Sequence, residues 1–187
     1  MTPHQLGILI LVLFLLVIIV AAFTFRDSHR RRSVRLRERF GPEYDRVLRQ
    51  EGDPRKAEGV LEFRQKRRGR YKLKPLSATD RASFLSRWNQ VQAMFVQDPH
   101  GAIAVAENLV TDVMQRRGYP IGEFEQRAAD ISVDYPLLVQ NYRLAHEISA
   151  RQTAGQANTE ELRQAMVHYR VLFQELLDED QAHRKGA

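Results

Sequence analysis

Ser77–Gly118, SATDRASFLSRWNQVQAMFVQDPHGAIAVAENLVTDVMQRRG, decides the fold class. Phe84, Trp88, Val91 and Phe95 recur at intervals of 4, 3 and 4 residues, the spacing that lines one face of an α-helix. Ser77-Ala78-Thr79-Asp80 reads as a capping box with an acidic third position, so the helix starts there and runs to about Gln97. Asp98-Pro99 supplies a new N-cap and a first-turn proline. The next helix carries Ile103, Ala106, Leu109, Val110, Val113 and Met114 and stops at Arg116-Arg117-Gly118, cations and glycine being favoured at a helix C-terminus.

The same grammar continues toward the C-terminus. A shorter helix is predicted from Ile121 to Ile131. A longer one opens around Asp134-Tyr135-Pro136 and reaches Thr153, with Leu138, Tyr142, Ala145 and Ile148 on one face. The last begins after Asn158-Thr159, with Glu160 and Glu161 well placed in its first turn, and its stripe runs from Leu162 through Tyr169 to Leu177. Beyond Asp180 the chain is expected to fray, leaving residues 182–187 as a tail. No segment alternates with period two over a useful length, so no strands are expected. The prediction is an all-α chain whose residues 77–181 form a four- to five-helix bundle, the short connections favouring antiparallel neighbours.

Toward the N-terminus the composition changes. Residues 26–76 read as a basic helical connector. It breaks near Gly41, restarts with Pro42, restarts again with Asp53 as N-cap to Pro54, and ends at Lys74-Pro75 because a residue before proline disfavours the α region. From Arg26 to Lys74 there are 18 Lys and Arg against 8 Asp and Glu; from Pro75 onward there are 11 against 15. The basic pI therefore belongs to one segment, and a nucleic-acid partner is not expected. The basic residues Arg30, Arg31, Arg32, Arg35, Arg37, Arg39, Arg67 and Arg68 are instead candidates for contact with anionic lipid headgroups.

Leu6–Phe25, LGILILVLFLLVIIVAAFTF, contains no charge, and its one hydroxyl is Thr24. Twenty helical residues at about 1.5 Å each span roughly 30 Å, the hydrocarbon thickness of a bilayer. A cleaved signal peptide would have a basic n-region, a shorter apolar run and a small-residue exit; Met1–Gln5 holds no Lys or Arg, and Val20-Ala21-Ala22-Phe23 offers no clean cleavage site. Residues 6–25 are thus expected to be a transmembrane helix. The arginines that follow it predict a single-pass inner-membrane protein with its N-terminus outside and its C-terminal domain in the cytoplasm. The span has no ionisable residue and no G-x-x-x-G, so tethering is its simplest role.

Phe40-Gly41-Pro42-Glu43-Tyr44, Gly118-Tyr119-Pro120, Phe124–Asp130 (FEQRAAD) and Arg163–Arg170 (RQAMVHYR) together resemble a group of short bacterial proteins with an N-terminal membrane helix and a helical C-terminal region. That group carries no assigned biochemistry. The resemblance implies a bacterial origin and this architecture, and transfers no site residue.

Chemistry is sparse. The absence of cysteine excludes disulfides, thiolate metal sites and cysteine nucleophiles. His100, His146 and His168 form neither H-x-x-x-H nor E-x-x-H, the spacings that aim two ligands from one helix face. Glu123, Glu125, Asp130 and Asp134 cluster in sequence but read as capping and solvating residues. There is no phosphate-binding glycine loop and no nucleophile elbow. No catalytic residue, metal or cofactor is expected. Trp88, Tyr142 and Tyr169 are candidates for a partner-binding groove. The expected function is a membrane-tethered protein-interaction module; an enzyme or small-molecule-binding domain with an unrecognised site is the alternative.

Overall fold

The computed structural model describes residues 13–16, 20, 23, 26 and 30–185. All regular secondary structure among them is helical. Of the apolar run Leu6–Phe25, positions 13–16, 20 and 23 are described and helical; the rest of that predicted span lies outside the described residues. Among the described residues no helix is long and apolar enough to cross a membrane. Residues 30–40 form α1.

The chain divides at Arg39, and a compact unit begins with Phe40. Within it lie α2 (Pro42–Glu51), α3 (Pro54–Arg68), α4 (Ala78–Gln97), α5 (Pro99–Arg117), α6 (Phe124–Asp134), α7 (Val139–Thr153) and α8 (Thr159–Lys185). The caps follow from the sequence. The Ser77 hydroxyl accepts from Asp80 N at 3.0 Å, and the Asp98 carboxylate accepts from Gly101 N at 2.9 Å. Asp53 does the same for Lys56 N at 2.9 Å. Each satisfies a helix N–H that has no partner within its helix.

Helix α5 is central. Its buried positions, Ala102, Ile103, Ala106, Leu109, Val110, Val113 and Met114, cover too wide an arc for one neighbour. It packs against α4, α7 and α8, while α7 pairs with α8. Trp88 of α4 stacks on Phe173 of α8 with ring centroids 4.6 Å apart. Helices α2 and α3 pair with each other, and α3 packs on α6.

Three expected boundaries move. The largest concerns Lys74-Pro75, which does not separate a connector from a bundle: the compact unit starts at Phe40. Leu76 is buried in the core, Tyr71 and Leu73 pack against it, and Lys74 N donates to Arg117 O at 2.8 Å. Gly118 seals this join. Its φ of 96° is left-handed, and a Cβ there would lie 2.8 Å from the Lys72 carbonyl. Next, α6 occupies Phe124–Asp134 rather than 121–131, and Pro136 ends it instead of opening α7, since Tyr135 before proline leaves the α region. Finally, α8 continues through Lys185, where fraying was expected. Gln181–Lys185 contains no glycine or proline and is rich in good helix formers.

Candidate functional site

The basic residues of α3 split between two faces. On the inner face, Arg64, Arg67 and Arg68 meet acids and polar groups of α2 and α6. Arg64 donates to Glu43 Oε1 at 2.7 Å and to Ser132 Oγ at 3.2 Å. Arg143 of α7 reaches the same Glu43 oxygen at 2.8 Å. Arg67 donates to Asp130 Oδ1 through Nε (2.9 Å) and its terminal nitrogen (2.7 Å), and to Gln126 at 2.7 Å. Tyr71 and Gln126 satisfy the rest of Asp130. Arg68 and Tyr119 both donate to Asp134 Oδ2 at 2.5 Å.

This seam is held together by mutual compensation. A buried carboxylate needs both a counter-charge and hydrogen bonds, and Asp130, with no exposed surface, has both. Burial pushes the Tyr119 phenol up, and the Asp134 carboxylate pushes it further. Burial opposes the Arg68 charge, but the hydrogen bond and charge of Asp134 outweigh it and raise that guanidinium. Arg67 and Arg68 are therefore committed to α6 and are not lipid-facing, which corrects the expectation for these two positions. The lipid-facing candidates on α1 fare differently: Arg30, Arg31, Arg35, Arg37 and Arg39 are exposed and Arg32 is half-buried.

The aromatic trio is also corrected. Trp88 is 4% exposed, and Tyr142 and Tyr169 are fully buried, so none can meet a partner in this fold. Tyr142 accepts from Arg127 Nε at 3.0 Å and lies edge-on to Tyr169. Burial and the neighbouring Glu107 raise the Tyr169 phenol well above its ordinary value. Their heptad-like spacing identified core positions, as such spacing usually does.

Two surface features remain. The first is a polar cleft of about 400 Å³ lined in part by Arg46, Phe124, Glu125, Arg143, His146 and Glu147. The His146 ring stacks on Phe124, centroids 3.6 Å apart, and its Nδ1 lies 2.8 Å from Glu107 Oε1. Ser149 donates to the other Glu107 oxygen at 3.0 Å. This order does not activate the serine: a hydroxyl–imidazole–carboxylate relay needs the imidazole in the middle, and here the carboxylate is. Arg143 is likewise engaged, by Glu43 and Glu125. Among the described residues no group of three His, Asp or Glu side chains converges as metal ligands.

The second feature is a groove of about 170 Å³ between α4 and α5, lined by Arg87, Gln90, Val91, Met94, Val105 and Leu109. Met94 and Val105 are exposed along it. Arg87 is held at its side by Asp112 at 2.6 Å. The sequence did not single out this groove, because Met94 and Val105 flank the core stripes of their helices rather than extend them.

No protein-family model, curated protein or solved structure matches the chain.

Proposed function

We propose that this protein is a membrane-tethered helical interaction module. In this reading Leu6–Phe25 anchors the chain in the inner membrane with the N-terminus outside, the arginines of α1 meet anionic headgroups, and the compact helical unit is cytoplasmic. The observation that carries the interaction reading is the α4/α5 groove. It exposes Met94 and Val105 on neighbouring helices, has an apolar floor of Val91 and Leu109, and is flanked by Arg87 and Gln90. An apolar partner helix or extended segment fits such a surface. A photo-crosslinking side chain at Met94 or Val105 in the full-length protein in cells should trap one protein that the same probe at exposed Glu160 does not, and Val105→Asp should abolish the Met94 adduct. Identical adducts from all three positions would defeat the reading.

The polar cleft at His146 favours a second reading, a small-molecule-binding domain on the same anchor. Its Arg143 is engaged by Glu43 and Glu125 and its His146 by Glu107, which makes it the weaker candidate. A ligand whose binding raises the melting temperature of the wild type but not of His146→Ala would reverse that order.

A further inference from the structure

The outer face of α3 is opposite in character to the inner one. Positions 56, 59, 63, 66 and 70 follow intervals of 3, 4, 3 and 4, a single helical stripe. The stripe outlasts the helix, because Arg70 N still donates to Arg67 O at 3.1 Å. It consists of Lys56, Gly59, Phe63, Lys66 and Arg70, all exposed. Lys72 and Lys74 follow, also exposed, in the extended segment. Phe63 is 62% exposed, and the Arg67 guanidinium sits 5.6 Å from its ring centroid while bonded to Asp130. The ring is thus braced from within and open outward.

The pairing of charges is equally divided. Arg64, Arg67 and Arg68 have carboxylate partners at 2.5–2.7 Å. The five exposed cations form no ion pair with any described residue; of the two α3 acids, Glu58 is buried and turned toward Tyr44, and Glu62 is half-buried beside Phe63. A face with a net excess of cations around an exposed aromatic ring matches an anionic bilayer surface: headgroup phosphates take the cations, and the ring enters the interface.

We infer that the outer face of α3, centred on Phe63 between Lys56, Lys66 and Arg70, is a second membrane contact that docks the helical unit on anionic phospholipid. The inference rests on the proposed anchoring by residues 6–25. Residues 26–39 then hold the unit within an upper bound of about 50 Å from the bilayer, so the second contact is intramolecular and favoured by a high local lipid concentration. A single-stranded nucleic acid would use the same charges, but it binds best on successive exposed aromatics. Here Phe63 stands alone: Tyr71 is half-buried with its hydroxyl on Asp130. Docking through α3 also leaves the α4/α5 groove available, since α3 packs on α2 and α6 while α4 packs on α5.

The test uses the full-length chain reconstituted in vesicles. Gly59 is a suitable reporter site, because a Cβ there meets nothing within 4 Å and the chain has no other cysteine. Gly59→Cys carrying an environment-sensitive fluorophore should shift to the blue in equimolar phosphatidylcholine–phosphatidylglycerol vesicles relative to phosphatidylcholine alone. The shift should be lost in high salt and in the Lys56→Gln, Lys66→Gln, Arg70→Gln variant. The same fluorophore at Val96→Cys on α4, where the native side chain is 83% exposed, should not respond. Equal emission in both lipids, or an equal response at position 96, overturns the inference. So does a larger response to single-stranded RNA in detergent, which would reassign the face to nucleic acid. Flotation in high salt separates the two levels: a protein that floats with an unresponsive Gly59 reporter defeats only the α3 contact, and one that fails to float defeats the anchor as well.

Discussion

Arg67 holds Asp130 by two nitrogens on a single carboxylate oxygen, at 2.9 and 2.7 Å, and Asp130 retains no exposed surface. This pair joins a helix that the sequence places in a connector to one that it places in the bundle. Breaking one side of a buried pair leaves the other desolvated and uncompensated. Asp130→Ala should therefore destabilise the fold by about 3–5 kcal/mol, measured as a lowered urea midpoint of the helical circular-dichroism signal in detergent. A change no larger than that of an exposed substitution such as Glu175→Ala would show that the seam contributes nothing.

Gly118→Ala tests the same union through the backbone. A left-handed φ costs a non-glycine residue roughly 1–2 kcal/mol, and here the added methyl would also meet the Lys72 carbonyl at 2.8 Å. The loss should exceed that figure and should raise amide exchange at Lys74, whose N–H is bonded to Arg117 O. Normal stability with unchanged exchange would detach residues 71–76 from the domain.

These two positions show what the sequence could and could not reveal. Helix positions in the C-terminal half were legible because caps are local: Ser77, Asp98 and Asn158 each satisfy an N–H within three residues. Partner choice is not local. Arg67 and Asp130 are 63 residues apart, and a run such as RQKRRGR looks the same whether its arginines face water or a buried aspartate. Trp88, Tyr142 and Tyr169 failed as partner-binding residues for a related reason. Periodicity identifies a face but not what covers it, and α8 covers Trp88 through Phe173. The α4/α5 groove was missed because its exposed members, Met94 and Val105, flank the apolar stripes, while Val60, Leu61 and Phe63 read as one weak apolar patch although Leu61 is buried and Phe63 exposed.

The buried tyrosines give a pH signature. Tyr119 and Tyr169 have folded-state pKa values raised above the usual 10.0, in both cases first by burial and then by a nearby carboxylate, Asp134 and Glu107 respectively. Tyr142 is raised as well, mainly by burial. An acid whose pKa is raised on folding binds its proton more tightly in the native state. Its contribution is complete below the unfolded value and is lost as pH rises above about 10. Stability should thus fall steeply above that pH, with phenolate absorbance appearing together with unfolding rather than before it. Tyr169→Phe should flatten the fall. Full phenolate absorbance while the helical signal persists would contradict the burial of these rings.

The orientation of the proposed anchor has a direct test in the missing cysteines. Five exposed arginines of α1, Arg30, Arg31, Arg35, Arg37 and Arg39, follow the apolar run, whereas Met1–Gln5 carries no Lys or Arg. Basic residues are retained on the cytoplasmic side during insertion, so in the proposed reading this asymmetry directs the C-terminal side inward. Gly186→Cys should be inaccessible to a membrane-impermeant maleimide in intact cells and react once the inner membrane is permeabilised. Replacing the five arginines with glutamine and adding lysines after Met1 should invert that pattern, because the charge bias is then reversed while the apolar run is untouched. Labelling of Gly186→Cys with its native arginines in intact cells would place the helical unit outside. The α4/α5 groove would then be offered to a periplasmic partner, and α3 would dock, if at all, on the outer leaflet.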